Sequence, residues 1–572
     1  MAEVSLTKKE MTTKGKSENS KKMKTDMADM VPIAAMNEDL LHNILLRLPA
    51  KSFAFASCVN RFWSSVCNRI LSRPKMISAF SRNPDQLNET FEFGKQRAGE
   101  EVLDKVLSEP IRPQFVIANI TCGNMEETLT LITERVGSRV PIIVSVVTGI
   151  LGKEACNDKA GEVRLHSTSD DELFDVANFA ILLTIGYLPG MKVDIIPVIQ
   201  AKGESGAEME DKFVMDIRNY MSMVSGHAAA PACLILFAED THATEPVLHK
   251  LDYAMPAETV IVGGQIGEFL HKRGNEPRNV QLQKDDIRVL AGLIFARDRH
   301  RPARKFPCIV LSCCAGYVFP IKISSFHFTQ LVELNEAEAE RIQFDTAISN
   351  GMSSVDLRYK AANVNVSLGP SCPSTLLTAK RRGEAEVLDG DQILDDIDNI
   401  LENYIWENDS YLGVIKRRKY SIGLEEKPKI MSSLVFHQVN GSDDQDLLVD
   451  GAGIKTGDQF QVYLPDLKVA EAALNDVSAQ LRNLKSKPNK PEVVGGFAFV
   501  GSCRGDSFFG CPNADSSPFL ENFPELPFGG IFCDGEIGRS LILEEGEEKK
   551  EVSIQRFLHV YSSVYLIVSY TS

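Results

Sequence analysis

Arg504 is bracketed by Gly501-Ser502-Cys503 on one side and Gly505 on the other, and further along Glu536 follows Gly535. Glycines let a backbone approach a ligand closely, and a guanidinium can hold a carboxylate through two parallel hydrogen bonds. Glu536 offers the complementary group, a carboxylate for an amine. Cys503, Arg504, Gly505, Gly535 and Glu536 would therefore suit a small amino-acid-like ligand. The plainer reading is that the glycines serve tight turns and that Arg504 and Glu536 pair with each other or with water. Cys503 as a nucleophile would need a histidine within hydrogen-bond reach, and His559 is only a sequence-level candidate. No catalytic residue is assigned on this basis, and the chain is expected not to be an enzyme.

Other constellations carry less. His242, Glu245 and His249 are close in sequence, but Pro246 interrupts the helical register and no further ligand is evident, so a surface cluster is expected and no metal. The stretch from Asp389 begins like a calcium loop, with Asp391 third. Leu394 then stands sixth, where the turn needs glycine, and Ile400 twelfth, where a glutamate should close the site. Gly263 to Gly267 lacks dinucleotide spacing, and no phosphate loop ending in Gly-Lys-Ser/Thr occurs, so no cofactor is expected. Arg504-Gly505-Asp506 imitates an adhesion tripeptide by chance. Lys416 to Lys419, KRRK, reads as a solvated strand edge.

Composition bounds the rest. The 572 residues leave room for three or four domains, and 44% hydrophobic with 24% charged content is that of a soluble globular chain. A net charge of -16 argues against nucleic acid as the main partner. The first thirty residues lack the apolar core of a secretory signal, and the apolar run Phe179 to Met191 is too short to span a bilayer, so no membrane association is expected. Twelve cysteines are scattered without paired spacing, and Cys233 and Cys308 sit inside apolar runs. A reducing compartment, cytoplasmic or nuclear, fits.

Residues 1–30 are Lys-rich and read as a disordered tail, in which Lys21-Lys22-Met23-Lys24 leaves nuclear entry open. Between Met36 and Cys67, Leu40, Leu41, Ile44, Leu45 and Leu48 repeat at helical spacing up to Pro49. A second helix is expected from Ser52 to Asn68, with Phe55, Val59, Phe62 and Val66 on one face and Trp63 beside them. Such a short stretch cannot bury two stripes alone, so a partner is expected. A helical linker follows at 76–112. Residues 113–330 alternate strands and helices, including strands at 309–313 and 318–323. The segment 331–390 is less regular, carries Lys380, Arg381 and Arg382, and reads as a connection. Residues 391–572 form a second strand-and-helix domain with a helix at 467–484. No leucine-rich or other periodic repeat is found.

The Leu-Leu pair, Ile44-Leu45, Leu48-Pro49 and the Val59, Arg61, Trp63 element resemble an F-box over residues 31–75. That resemblance implies docking on the Skp-type adaptor of a cullin-RING ligase through Leu40, Leu41, Ile44, Leu45, Leu48, Pro49, Val59 and Trp63. Met36-Asn37 stands where the motif has Leu-Pro, and Asn60 where a cysteine is common, which implies a weaker grip. Asn37 can still cap the helix, with Glu38 and Asp39 at the positive end of its dipole. The later motifs are Tyr411 to Val414, Gly457-Asp458, Gly501 to Gly505, Gly529 to Ile537 and His559 to Tyr561. They resemble the C-terminal FIST domain, and 113–330, with Val260 to Gly264 and Gly267, is similar to its N-terminal partner. The fold implied is mixed: a small all-α F-box followed by two α/β or α+β FIST lobes. The function implied is a substrate receptor of an SCF-type ubiquitin ligase that recruits an unidentified protein. The second reading is a sensor whose FIST lobes bind an amino acid or metabolite.

Overall fold

The computed structural model describes residues 37–82, 91–165, 179–226, 229–239, 244–274, 287–298, 341–368, 373–401, 409–423, 428–443, 445–486, 491–545 and 551–571. The Lys-rich stretch 1–30, Met36, His242 and the strands expected at 309–313 and 318–323 lie outside these residues.

Asn37 opens α1 (Glu38–Leu45): its side-chain oxygen accepts the Asp39 N–H at 3.1 Å, and Glu38 and Asp39 fill the first turn. The single helix expected from Ser52 to Asn68 is instead two, α2 (Ala50–Ala56) and α3 (Arg61–Ile70). Asn60 causes the break. It is extended, with φ −160° and ψ 175°, and its side chain accepts the Trp63 N–H at 2.9 Å. Leu41, Leu45, Phe53, Ala56, Val66 and Cys67 close into a small core, with Leu48, Trp63, Ile70 and Leu71 against it. The three helices thus bury an inner stripe on one another and leave a second set of apolar side chains outside. The unit also sits on the rest of the chain. The Ala50 N–H donates to Leu107 O at 2.9 Å, and Ala50 and Leu71 pack on the core that includes Val102 and Val106.

Where a helical linker was expected, β1 (Lys75–Arg82) runs antiparallel to β6 (Ala180–Tyr187), and only then does α4 (Phe91–Val106) form. The sheet continues with β2 (Phe115–Ile120), β3 (Ile142–Val146) and β10 (Phe269–Lys272), in the order β1-β6-β2-β3-β10. Residues of β2 and β6 are buried throughout, which is why both read as continuous apolar runs. α4 and α5 (Met125–Val136) close one face through Val102, Val106, Leu129 and Ile132.

The segment expected to be a connection supplies strands of a closed barrel. β13 (Met352–Leu368), β14 (Pro373–Arg381), β15 (Tyr411–Tyr420), β16 (Lys429–Asp443), β17 (Asp446–Asp450) and β18 (Gln459–Pro465) pair in the ring β15-β18-β13-β14-β17-β16, and β16 returns to β15. Alternate residues such as Leu412, Val414, Phe460 and Val462 point inward, where Ile393, Ile397 and Leu401 of α8 (Gly390–Leu401) join them. From β16 the same sheet extends through β22 (Glu551–His559), β21 (Gly535–Glu545), β9 (Val260–Ile266), β8 (Cys233–Glu239), β11 (Ile287–Arg297) and β7 (Met191–Gln200). α6 (Gly206–Val224) and α7 (Thr244–Ala254) pack on it.

The last sheet has the order β12-β23-β19-β20-β4-β5 and is covered by α9 (Leu467–Ser486). Its strands are β12 (Ile342–Asn350), β23 (Ser562–Tyr570), β19 (Glu492–Gly501), β20 (Phe528–Cys533), β4 (Gly149–Lys153) and β5 (Ala160–Arg164). β9 pairs with β21 and β4 with β20, so the segments 113–330 and 391–572 share sheets by backbone hydrogen bonds. Phe80, Phe115, Phe237, Phe295, Phe499, Ile531 and Leu566 meet in one core drawn from all three sheets.

Candidate functional site

Each of the three N-terminal helices buries one apolar face and leaves other apolar side chains outside. Leu40, Ile44, Leu46, Phe55, Val59 and Phe62 are 54%, 40%, 42%, 67%, 58% and 41% exposed. They make up six of the twelve large exposed hydrophobic residues among those described, a concentration typical of an interaction site. Of the residues the sequence pointed to, Leu40, Ile44, Pro49 and Val59 lie on this surface. Leu41 and Leu45 are fully buried in the helices' own core, and Leu48 and Trp63 pack half-buried against it. The inner pair can act on a partner only by holding α1 in place. Leu46, Phe55 and Phe62 were missed as surface residues. α2 buries Phe53 and Ala56 and α3 buries Val66 and Cys67, which leaves Phe55 and Phe62 outside.

The glycine-bracketed cluster forms where β19 ends, β20 passes to β21 and β23 begins. Arg504 is 0% exposed. Its Nε and Nη2 donate to Asp515 Oδ1 at 3.1 and 2.8 Å, Nη2 donates also to Ser349 Oγ at 3.2 Å, and Nη1 to Tyr561 O at 2.9 Å. This corrects the clamp read from sequence: the guanidinium is engaged inside the protein and ties Asp515, β12 and Tyr561 together. Tyr561 has a left-handed φ of 51°, and its hydroxyl donates to Asp409.

Glu536 is 1% exposed and accepts the Ser562 N–H at 3.1 Å. Burial pushes its carboxyl well above the usual range, and the Ser562 N–H and the charges of Arg504 and Arg556 only partly offset this. Gly501 is needed beside it, since a Cβ there would lie 2.7 Å from Glu536 Oε1. Gly505 adopts φ +89°, and a Cβ would meet Arg164 Nη1 at 2.5 Å. The two glycines serve a turn and a close approach within the protein, and Gly535 is buried with Glu536.

Cys503 reaches the surface. Desolvation of its thiol raises the pKa, with the Asp409 and Glu536 carboxylates adding to the rise, the opposite of what a nucleophile needs. His559 Nε2 lies 2.8 Å from Gly538 O, and burial holds its pKa far below the ordinary value. Its Nδ1 has no hydrogen-bond partner in the structure. Arg556, 6% exposed, donates from Nη1 to Asn350 Oδ1 at 3.2 Å and lies 4.5 Å over the Phe436 ring, while its Nε and Nη2 remain unbonded.

KRRK is a solvated edge only in part: β15 pairs with β18 as far as Ile415, so Lys416 to Lys419 pair on the β16 side alone, and Arg417 and Lys419 are exposed. Lys416 is 4% exposed and bonds Glu245 at 2.9 Å, and Arg418 bonds Asp458 at 2.7 Å. Glu245 is partly buried, and burial opposes its ionisation. The His249 bond and the Lys416 charge outweigh that and hold its carboxyl well below the usual range. The Asp-rich start at Asp389 is a helix cap: Asp389 Oδ1 accepts the Gln392 N–H at 2.9 Å and Gln392 Oε1 accepts the Asp389 N–H at 3.1 Å. No group of three metal-binding side chains occurs among the described residues.

A family model of the F-box domain matches residues 33–74, the stretch that carries the exposed apolar surface. The F-box/LRR-repeat protein At5g63520 of Arabidopsis thaliana is 92% identical to this chain over 572 residues, covering 100% of both. Among the described residues no run of consecutive parallel strands like that of a leucine-rich repeat occurs. The parallel pairs β2–β3, β8–β9, β19–β20 and β16–β22 are dispersed over three sheets. With the F-box in place and near-identity along its whole length to a named member, the chain belongs to the F-box protein family.

Proposed function

We propose that this chain is a substrate-receptor subunit of an SCF-type cullin-RING ubiquitin ligase. Its F-box docks on a Skp-type adaptor, and the strand-rich body, built of FIST-type halves, holds the protein to be ubiquitinated. The chain does no covalent chemistry in this role. It brings a substrate lysine near a charged conjugating enzyme, which raises the effective concentration of the reactants. Its place of action would be the cytoplasm, the nucleus or both. The observation that carries the reading is the group of exposed apolar side chains, Leu40, Ile44, Phe55, Val59 and Phe62, within the F-box. Co-expression of the tagged full chain with the adaptor tests it. Wild type should capture the adaptor, and Leu40→Asp and Leu48→Asp should lose it. Failure of wild type to capture it would end the ligase reading.

A sensor role for the body is favoured by one observation, the unbonded buried nitrogens of Arg556 and His559 near Glu536. A metabolite binding there would raise the melting temperature, since a ligand specific to the folded state stabilises it. A broad amino-acid and metabolite panel without any shift would count against this second reading.

A further inference from the structure

The outer wall of the barrel carries a surface unlike the F-box face. A groove of about 290 Å³ opens there over β13, β14, β15 and β18. Its rim holds Arg358, Lys360, Lys380 and Arg382, with Glu384 as a lone acid beside them. The cations stand in two cross-strand rungs: Lys360 is directly opposite Lys380, and the Arg382 N–H donates to the Arg358 carbonyl at 2.9 Å. Like charges placed opposite one another weaken a sheet. Two neighbouring barrel cations are paired with acids, Arg381 with Asp396 and Arg418 with Asp458. Among the described residues no acid forms a salt bridge with Arg358, Lys360 or Lys380 within 4.0 Å. The floor beneath is apolar, with Ile415, Leu434, Tyr463 and Ile554.

We propose that this groove binds an acidic segment of a partner protein, with carboxylates on the cationic rim and one apolar side chain on the floor. The charge pattern of the rim supplies the argument: the like-charged Lys360–Lys380 rung is relieved when anions settle on its two ammonium groups. A chain of net charge -16 repels polyanions overall, so a short acidic peptide suits this local exception better than a nucleic acid does. That the partner is the protein to be ubiquitinated rests on the receptor reading. The binding chemistry does not.

Fluorescence anisotropy of the full chain with a fluorescein-labelled glutamate decamer carrying one central leucine tests the groove. The expected result is saturable binding that weakens as salt rises from about 50 to about 500 mM. Lys360→Glu combined with Lys380→Glu should lower affinity by about tenfold or more. Lys360→Gln with Lys380→Gln should weaken it less, with an unchanged melting temperature. An affinity unaffected by the charge reversals, or equal binding of an oligothymidylate of the same charge, would overturn the proposal. Adaptor capture separates the two ideas. Wild type that captures the adaptor but ignores the peptide overturns the groove and leaves the receptor standing. Peptide binding without adaptor capture supports the groove and ends the receptor reading.

Discussion

Arg504 and Asp515 are paired at 2.8 Å with side chains 0% and 1% exposed. Removing one partner strands the other charge in a low-dielectric interior, which costs about 3–5 kcal/mol. Arg504→Ala should therefore lower the denaturation midpoint strongly. Arg504→Lys should not rescue it, because an ammonium cannot reach Asp515, Ser349 and the Tyr561 carbonyl together. Urea denaturation followed by circular dichroism checks both, and a near-native midpoint for Arg504→Ala would contradict the scaffold role. Glu536 has the opposite pH signature to most carboxylates. Its folded pKa is raised, so the stability it contributes is complete below its unfolded pKa of about 4.3 and declines as pH rises toward the folded value. Glu536→Gln keeps an oxygen for the Ser562 N–H and removes that slope. Its melting temperature relative to wild type should rise from pH 5 to pH 8, and a pH-independent difference would refute this.

At the scale of elements, the Asn60 cap should matter more than its surface position suggests. Asn60→Ala leaves the Trp63 N–H without its side-chain partner and should cost about 1 kcal/mol, read by thermal melting of the full chain. The elements legible in sequence were those with strong, simple signals. β6 and β8 are buried along nearly their whole length, and α9 carries Val477, Leu481 and Leu484 at helical spacing. Those missed have mixed faces. β13 and β14 put Arg358, Lys360 and Lys380 outside the barrel and Tyr359, Ala361 and Ala379 inside, so their apolar content looks too low for a strand. β1 was taken into a helical linker because its partner β6 lies far off in sequence, and no local pattern reports such a pairing. The same limit applied to the site. Residue types at Arg504 and Glu536 suggested a clamp, but burial and the approach of Asp515 are set by chain segments that spacing cannot place.

Across the whole molecule, strands from distant segments share the larger sheets, and the F-box is docked on the body through Ala50 and Leu71. Stability should thus respond to acid as one unit. Burial pushes His271 and His437 down to about 4, so each favours the folded state above its unfolded pKa of about 6.5 and withdraws that support as pH falls toward about 4. Relative to wild type, the melting temperature of His271→Gln combined with His437→Gln should rise as pH falls across that window, a slope opposite to that of Glu536, and a pH-independent difference would contradict the assignment. The central claim concerns the outward face of the F-box. Biolayer interferometry of the full chain against a purified Skp-type adaptor tests it most directly, comparing Phe55→Asp with Met223→Asp, an equally exposed apolar residue on α6. The account predicts that Phe55→Asp raises Kd by about thirtyfold, as expected for an interface anchor, while Met223→Asp leaves it unchanged. Equal affinity for wild type and both variants, or no measurable binding of wild type, would contradict it.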